Sequence, residues 1–474
     1  MTGNAKNFLQ HAGKMAADSR RRQAIAVALN NYQIARDQRE TTYHDWQAVR
    51  HAAAETKWEA IHQLDQHLLT FADKIGLRGA KVYWAGTDLE ACQIIIRIIQ
   101  TRGAHSIIKS KTMAGEEIHL NRALELAGFE VAETDLGEVI VQRRHEPPFH
   151  TVFPSMHLAR GEIKELFQRE FGEVPSDSPE DLVQVARDAL REKYFTADVG
   201  ITGANFAIAE TGMISIAENE GNARLVTALP KTMITLVGIE KILPRFQDLA
   251  LFLPLLATAG AGQAMTAYNT IYSGPRQFGE NDGPEEFHVV LLDNRRTEIL
   301  ANVEQREVLH CIRCGACLNV CPIFRNVGGH AYGPVSAAGP IGAVTMPLRD
   351  RLADWRHLSE ASSLCGACTE TCPVKIDLHH HLLRNRRQAV QKKISWLEQF
   401  KYDLFTSFVN HPAVWSFGKT FGRLAQPFQR MIRGTALDPL RAWTRTRDLP
   451  PLAKESFKDW WRKRKPVRPG KSMK

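Results

Sequence analysis

At 474 residues the chain is long enough for more than one domain, and its 44% hydrophobic and 24% charged residues are those of a globular protein with a core. Residues 1–30 carry Arg20, Arg21 and Arg22 with no apolar stretch behind them, and the longest apolar run, 249–261, is short and broken by Pro254. Neither an export signal nor a membrane span is expected, which points to the cytoplasm, and the formal charge of +9 is concentrated at the C-terminal end.

The first element expected is helical. Residues 14–75 are charged, lack proline and place Leu29, Trp46, Val49, Trp58, Ile61, Leu64 and Leu68 at loosely helical intervals. The pattern then becomes short strands alternating with helices. A strand is expected over Lys81–Ala85, a helix over 88–102 ended by Gly103, a strand over 104–108, a helix over 114–127 stopped by Gly128, and a strand over 129–134. Further strands are expected at Val199–Thr202, 213–217, 233–237 and 289–293. Such alternation builds a parallel sheet covered by helices. Gly260-Ala261-Gly262 is a lone G-x-G and reads as a tight helix contact, not as a dinucleotide loop.

Of the eight cysteines, Cys92 stands alone in an apolar stretch and reads as a core residue, while seven crowd into 311–372. In an intracellular chain such crowding points to metal and not to disulfides. Cys311-Ile-Arg-Cys314-Gly-Ala-Cys317-Leu-Asn-Val-Cys321-Pro322 is the C-x2-C-x2-C-x3-C-P run of bacterial ferredoxins. Two intervening residues let one tight loop aim successive thiolates at neighbouring irons of one cube, and the fourth cysteine points away, to the other cluster. Gly315 and Ala316 are small enough for backbone N–H groups to approach the sulfurs.

Cys365-Gly-Ala-Cys368-Thr-Glu-Thr-Cys372-Pro373 repeats the last three cysteines of that run, with Ser362 in the place of the first. By the crossover rule Cys311, Cys314, Cys317 and Cys372 would hold one cluster, and Cys321, Cys365 and Cys368 the other. Its fourth position is open to Ser362, water, a partner's group or nothing. Two [4Fe-4S] clusters are expected, with a [3Fe-4S] cluster as the alternative at the second site. Zinc, which takes four ligands as two C-x2-C pairs, fits seven such cysteines poorly.

Between the two cysteine groups, 328–334 and 339–342 are rich in Gly and Pro and read as loop wrapped over a cluster. A basic helix is expected over 377–395. Residues 396–448, with Trp396, Phe400, Trp415 and Phe421, read as short helices packed on the cluster segment or on a partner. In 454–474, nine basic residues (Lys454, Lys458, Arg462, Lys463, Arg464, Lys465, Arg468, Lys471, Lys474) face only Glu455 and Asp459. This is either a solvated tail or, helped by Phe457, Trp460 and Trp461, a dock for an acidic partner or an anionic membrane surface. No nucleic-acid module accompanies the charge. The expected division is an N-terminal helical region (1–75), an α/β domain (76–302), a ferredoxin-like iron–sulfur domain (303–395), a C-terminal helical region (396–453) and a basic tail (454–474).

Three stretches carry a resemblance. They are Lys109-Ser110-Lys111-Thr112-Met113 with Glu133-Thr134-Asp135-Leu136-Gly137-Glu138; Gly203-Ala204-Asn205-Phe206-Ala207-Ile208-Ala209-Glu210-Thr211-Gly212; and the cysteine segment with His330-Ala331-Tyr332-Gly333 and Ser362-Ser363-Leu364. Together they make the chain similar to the lactate utilisation protein B family over nearly its whole length. The resemblance implies a lactate-utilisation domain at about 70–300, of a fold similar to the isomerase and CoA-transferase superfamily. It also implies one protein of a three-part system that oxidises L-lactate to pyruvate, with the other two lactate-utilisation proteins as partners and a quinone pool or soluble carrier as acceptor. Arg295-Arg296 departs from the glycine expected in the turn after Asp293-Asn294.

Lactate oxidation needs a two-electron acceptor and a base for the hydroxyl proton, whereas an iron–sulfur cluster takes one electron. No flavin or dinucleotide fingerprint stands out, so no catalytic residue is assigned and the expected role is electron carrier. The alternatives are a catalytic subunit acting on a 2-hydroxy acid and a cluster-based redox sensor. For the former, Lys109, Lys111, His150, His157 and Glu210 are the candidates for a small-anion pocket, set against ordinary structural roles for each.

Overall fold

The computed structural model describes residues 5–392, 396–438, 440–444, 447–453 and 455–464, which fall into two units, 1–391 and 392–474. The first unit opens with the expected N-terminal helices, four of them: α1 (Ala5–Ala17), α2 (Ser19–Glu40), α3 (Trp46–His62) and α4 (Leu64–Leu77). Two of the breaks fall where a carboxylate takes up a free N–H group. Asp18 accepts from the Arg21 N–H and Asp45 from the Ala48 N–H, so each caps the helix that follows.

The α/β part has strands β1 (Lys81–Ala85), β2 (Ser106–Lys109), β3 (Glu130–Glu133), β4 (Val199–Thr202), β5 (Phe206–Ile208), β6 (Met213–Glu218), β7 (Thr232–Gly238), β8 (Ile242–Leu243), β9 (Tyr268–Tyr272) and β10 (Glu286–Leu292). Six form a parallel sheet in the order β1-β10-β7-β4-β2-β3. Its faces follow from the period of two along each strand. Val289 and Leu291 of β10 enter one core, while Val290 and Leu292 enter the other. The second core lies under the helix Asp88–Thr101, through Ile95, Ile98 and Ile99. Cys92, on the same helix, is buried as expected.

The first core is larger, and it joins parts that the sequence divides. Ile61, Leu68 and Phe71 of α3 and α4 pack in it with Met233 and Phe287 of the sheet and with Leu318, Phe324 and Val344 of the cysteine segment. A four-stranded sheet, β8-β5-β6-β9, completes this side; β5, β8 and β9 were not expected from sequence. The helix Leu249–Ala261 ends at Gly262 (φ +70), where a Cβ would lie 2.8 Å from Ala35 of α2; the G-x-G is the tight helix contact it was read as.

Other expectations are corrected. Helix 114–127 is two helices, Met113–Glu117 and Leu120–Leu126, parted at His119 (φ 53). Residues 339–342 are not loop: they open a buried helix, Gly339–Arg349, with Pro340 in its first turn, where proline has no N–H to lose. The basic helix spans Leu378–Gln391, and 393–395 lie outside the described residues. In the second unit the helices are long, Trp396–Asn410 and Pro412–Met431; Phe408 meets Trp415 edge-on and lies over Gly418. Of the basic tail, Lys454, Lys465, Arg468, Lys471 and Lys474 fall outside the described residues.

A buried ionic knot fastens the sheet to the cysteine segment. Glu117 accepts from Arg296 at 2.8 and 3.1 Å and pairs with Arg349 at 2.7 Å, while Arg296 also holds Glu240. Burial pushes the Glu117 carboxyl up, but Arg296, Arg349 and Arg313 outweigh it and hold it well below the usual carboxylate range. The unexpected Arg295-Arg296 pair belongs here. Arg295 takes the left-handed conformation (φ 68) that a glycine would have taken, and Arg296 is the centre of the knot. Glu117→Ala would strand two buried guanidiniums. Urea denaturation should show a loss of about 3–5 kcal/mol, and an unchanged midpoint would contradict this role.

Candidate metal centres and the adjoining cavity

Both cysteine loops are built the same way. Arg313 (φ 60) and Gly315 (φ 77) flank Cys314; Leu364 (φ 56) and Gly366 (φ 85) flank Cys365. These left-handed residues turn the chain between successive cysteines, after which short helices, Ala316–Asn319 and Ala367–Thr371, carry Cys317 and Cys368. All seven cysteines are free thiols; Cys314, Cys317, Cys368 and Cys372 are buried, Cys311 and Cys321 half-buried and Cys365 exposed.

Their mutual electrostatics sort them into two groups. Burial pushes the Cys372 thiol up, and the thiols that push it further are Cys314 and Cys311. Burial likewise raises Cys317, with Cys311 and Cys314 adding most after it. Cys368 is pushed up to about 12 by burial, then by Cys321 and Cys365. Cys372 thus feels the thiols of the first loop and Cys368 those of Cys321 and Cys365, while Cys368 also bears on Cys317.

An iron–sulfur cluster fits these groups on two grounds. Thiols this strongly raised ionise only against a bound positive charge. Backbone N–H groups already point at the sulfurs: Arg313 N–H lies 3.4 Å from Cys311 Sγ and Ile376 N–H 3.3 Å from Cys372 Sγ, and N–H groups of Ile341, Phe324 and Thr369 serve Cys317, Cys321 and Cys368.

The N-terminal helices clasp the second loop, a role their sequence does not advertise. Arg50 donates to the Cys372 carbonyl at 2.9 Å and the Thr369 carbonyl at 3.3 Å, and Arg36 donates to Thr371 Oγ1. Tyr332, from the His330-Ala331-Tyr332-Gly333 string, lies beside Cys321 and Cys317, which with burial raise its hydroxyl. That part of the Gly-rich stretch does cover the cysteines.

A cavity of about 320 Å³ opens at the carboxyl ends of the parallel strands, where open α/β sheets place ligands. Lys111 follows β2, Asp135 follows β3, Asn205 follows β4, and Glu240 and Lys241 follow β7; Arg313 and Cys314 of the first cysteine loop close it. Lys111 pairs with Asp135 at 3.4 Å and donates to the Val152 carbonyl at 3.1 Å. Lys241 makes no hydrogen bond or ion pair among the described residues. Glu220, across the cavity, is raised to about 7 by burial and the Asp135 carboxylate.

Of the five residues weighed for an anion pocket, only Lys111 lines this cavity. Lys109 is buried in an ion pair with Glu133 at 2.8 Å. Glu210 accepts from the Phe246 N–H on the surface. His157 pairs with Glu146 at 2.9 Å and stacks on Phe149. His150 is buried against Gly315, its Nδ1 accepting from the Val152 and Phe153 N–H groups. Lys241 and Arg313 were missed, since nothing in sequence links the residue after β7 to the cysteine loop.

Family comparisons agree with this architecture. The LUD domain model matches residues 68–292, the 4Fe-4S dicluster domain 307–376, and the model described as Lactate utilisation protein B, C-terminal, 377–466. A protein named Lactate utilization protein B from Anoxybacillus flavithermus is 42% identical over 468 residues, covering 97% of this chain and 98% of that one. One of the same name from Geobacillus kaustophilus is 44% identical over 426 residues, 88% and 89% of the two chains. A solved structure of a DUF162 family protein from Deinococcus radiodurans matches 50% of this chain and 98% of its own at 16% identity, with a TM-score of 0.26, too low to carry an argument. With its parallel-sheet domain followed by a 4Fe-4S dicluster segment, the chain belongs to the lactate utilisation protein B family.

Proposed function

We propose that this chain is the iron–sulfur electron-transfer subunit of a multi-protein system that oxidises L-lactate to pyruvate and so supports growth on lactate. The observation that carries the reading is the placing of seven free thiols on two loops of like backbone, in a chain whose relatives are named for lactate utilisation. In this reading Cys311, Cys314, Cys317 and Cys372 hold one cluster, and Cys321, Cys365 and Cys368 hold the second. Each cluster, when bound, takes up and passes on one electron. The chain's own part is to supply thiolates, aim N–H groups at their sulfurs and keep water from the first group.

The hydroxyl proton and the electron pair of lactate are handled by partners, the other two lactate-utilisation proteins, and a quinone pool or soluble carrier takes the electrons. The division of labour follows the chain: 1–75 clasps the second cysteine loop, 76–302 forms the α/β domain, 303–395 holds the clusters, 396–453 is a helical extension and 454–474 a basic tail. No helix among the described residues is long and apolar enough to cross a membrane. The helix Phe457–Lys463 exposes Phe457, Trp460 and Trp461 beside Lys458, Arg462 and Lys463, which supports peripheral contact of a cytoplasmic protein with the inner membrane face.

One observation favours a second reading, a catalytic role for the α/β domain on a small carboxylate: among the described residues Lys241 makes no hydrogen bond or ion pair, and it lines a cavity that Cys314 walls. EPR of the anaerobic protein separates the two. Clusters reduced by L-lactate only when the partner proteins are present support the carrier. Reduction of the isolated chain, lost at least tenfold in Lys241→Ala, would place the chemistry in the cavity. No reduction under either condition would overturn the lactate assignment.

A further inference from the structure

The second cysteine group supplies three sulfurs, and the question is what stands at its fourth corner. The two loops can be laid over one another residue by residue. Cys311, Arg313, Cys314, Gly315 and Cys317 correspond to Ser362, Leu364, Cys365, Gly366 and Cys368. The backbone agrees at both unusual positions: φ is 60° at Arg313 and 56° at Leu364, 77° at Gly315 and 85° at Gly366. The turn after each glycine is closed by the same bond, Leu318 N–H to the Gly315 carbonyl and Thr369 N–H to the Gly366 carbonyl, both 2.9 Å. The first side chain behaves alike as well. Cys311 Sγ accepts from the Arg313 N–H at 3.4 Å, and Ser362 Oγ accepts from the Leu364 N–H at 3.2 Å.

We propose that Ser362 Oγ is the fourth ligand of the second cluster, completing the set begun by Cys321, Cys365 and Cys368. The inference rests on the ligand assignment proposed above. A serine that merely starts a turn also accepts from the N–H two residues on. Such a turn does not require the next residue but one to adopt a left-handed conformation, which is uncommon and strained for leucine. The loop keeps that strain where no cysteine remains to explain it. It also anchors the serine. Arg386 donates to the Ser362 carbonyl at 2.6 Å and to the Ser359 carbonyl at 2.8 and 3.0 Å, fixing the backbone from which Oγ projects.

On ligation the Oγ–H bond breaks, an Oγ–Fe bond forms and the proton leaves to solvent. No electron is transferred. An alkoxide is a harder donor than a thiolate and favours the ferric state, so the serine lowers this cluster's potential relative to a cysteine at the same corner.

The test compares full-length wild type, Ser362→Ala and Ser362→Cys, each reconstituted anaerobically, by iron and acid-labile sulfide content, EPR and redox titration. Wild type should carry about eight irons in two four-iron clusters. Ser362→Ala should fall to about seven, with a three-iron signal in the oxidised protein and an unchanged first-cluster signal; that retained signal shows that the variant is folded. Ser362→Cys should keep about eight, show no three-iron signal and titrate at a higher potential. A wild type with a three-iron second site would overturn the proposal, as would an alanine variant with wild-type iron and spectra. A wild type without iron at either site would instead overturn the cluster assignment beneath it.

Discussion

Five cysteine thiols, Cys314, Cys317, Cys321, Cys368 and Cys372, sit where burial disfavours their ionisation, and much of the first unit answers that difficulty. Burial drives Cys314 up to about 12 and raises Cys317 and Cys372 as well. Two things offset it: N–H groups aimed at the sulfurs, and arginines set behind the loops. Arg36 bears on Cys314, and Arg50 bears on Cys372 while holding its carbonyl. Both arginines come from the N-terminal helices. Those helices therefore act as part of the cysteine environment, not as a separate domain. The knot of Glu117, Arg296, Arg349 and Glu240 does the same from the sheet side, so both loops are fixed to one core.

The two groups are unequal. The first sits deep, with Arg36, Arg50 and Lys241 as positive neighbours and the cavity against Cys314. Positive charge there favours an added electron. The second has Arg325 near Cys321 and an exposed Cys365. The first group thus lies at the carboxyl edge of the sheet, and the second reaches the surface through Cys365.

Much of this was legible in the sequence, because the informative interactions are local. The C-x2-C-x2-C-x3-C-P spacing acts within one loop, and strands such as Lys81–Ala85 and Val199–Thr202 announce themselves by apolar runs between turn residues. What escaped depends on residues distant in sequence. Arg36 and Arg50 look like surface charges on a helix until the second loop folds against them. Lys109, one candidate for an anion pocket, instead meets Glu133 on the neighbouring strand. The Gly- and Pro-rich 339–342 read as loop because composition carries no sign that Gly342 lets a buried helix pack onto Ala337. Strands β5, β8 and β9 are short, at two to five residues, and take their structure from their neighbours.

The proposed crossover of ligands between the loops is the point on which the rest turns. The most direct measurement is EPR of the reduced protein for Cys314→Ala, Cys365→Ala and Cys372→Ala. If Cys372 completes the first group, its variant loses the same cluster signal as Cys314→Ala and keeps the signal lost in Cys365→Ala. If Cys372→Ala instead loses the signal that Cys365→Ala loses, each loop holds its own cluster, and the arrangement described here is wrong.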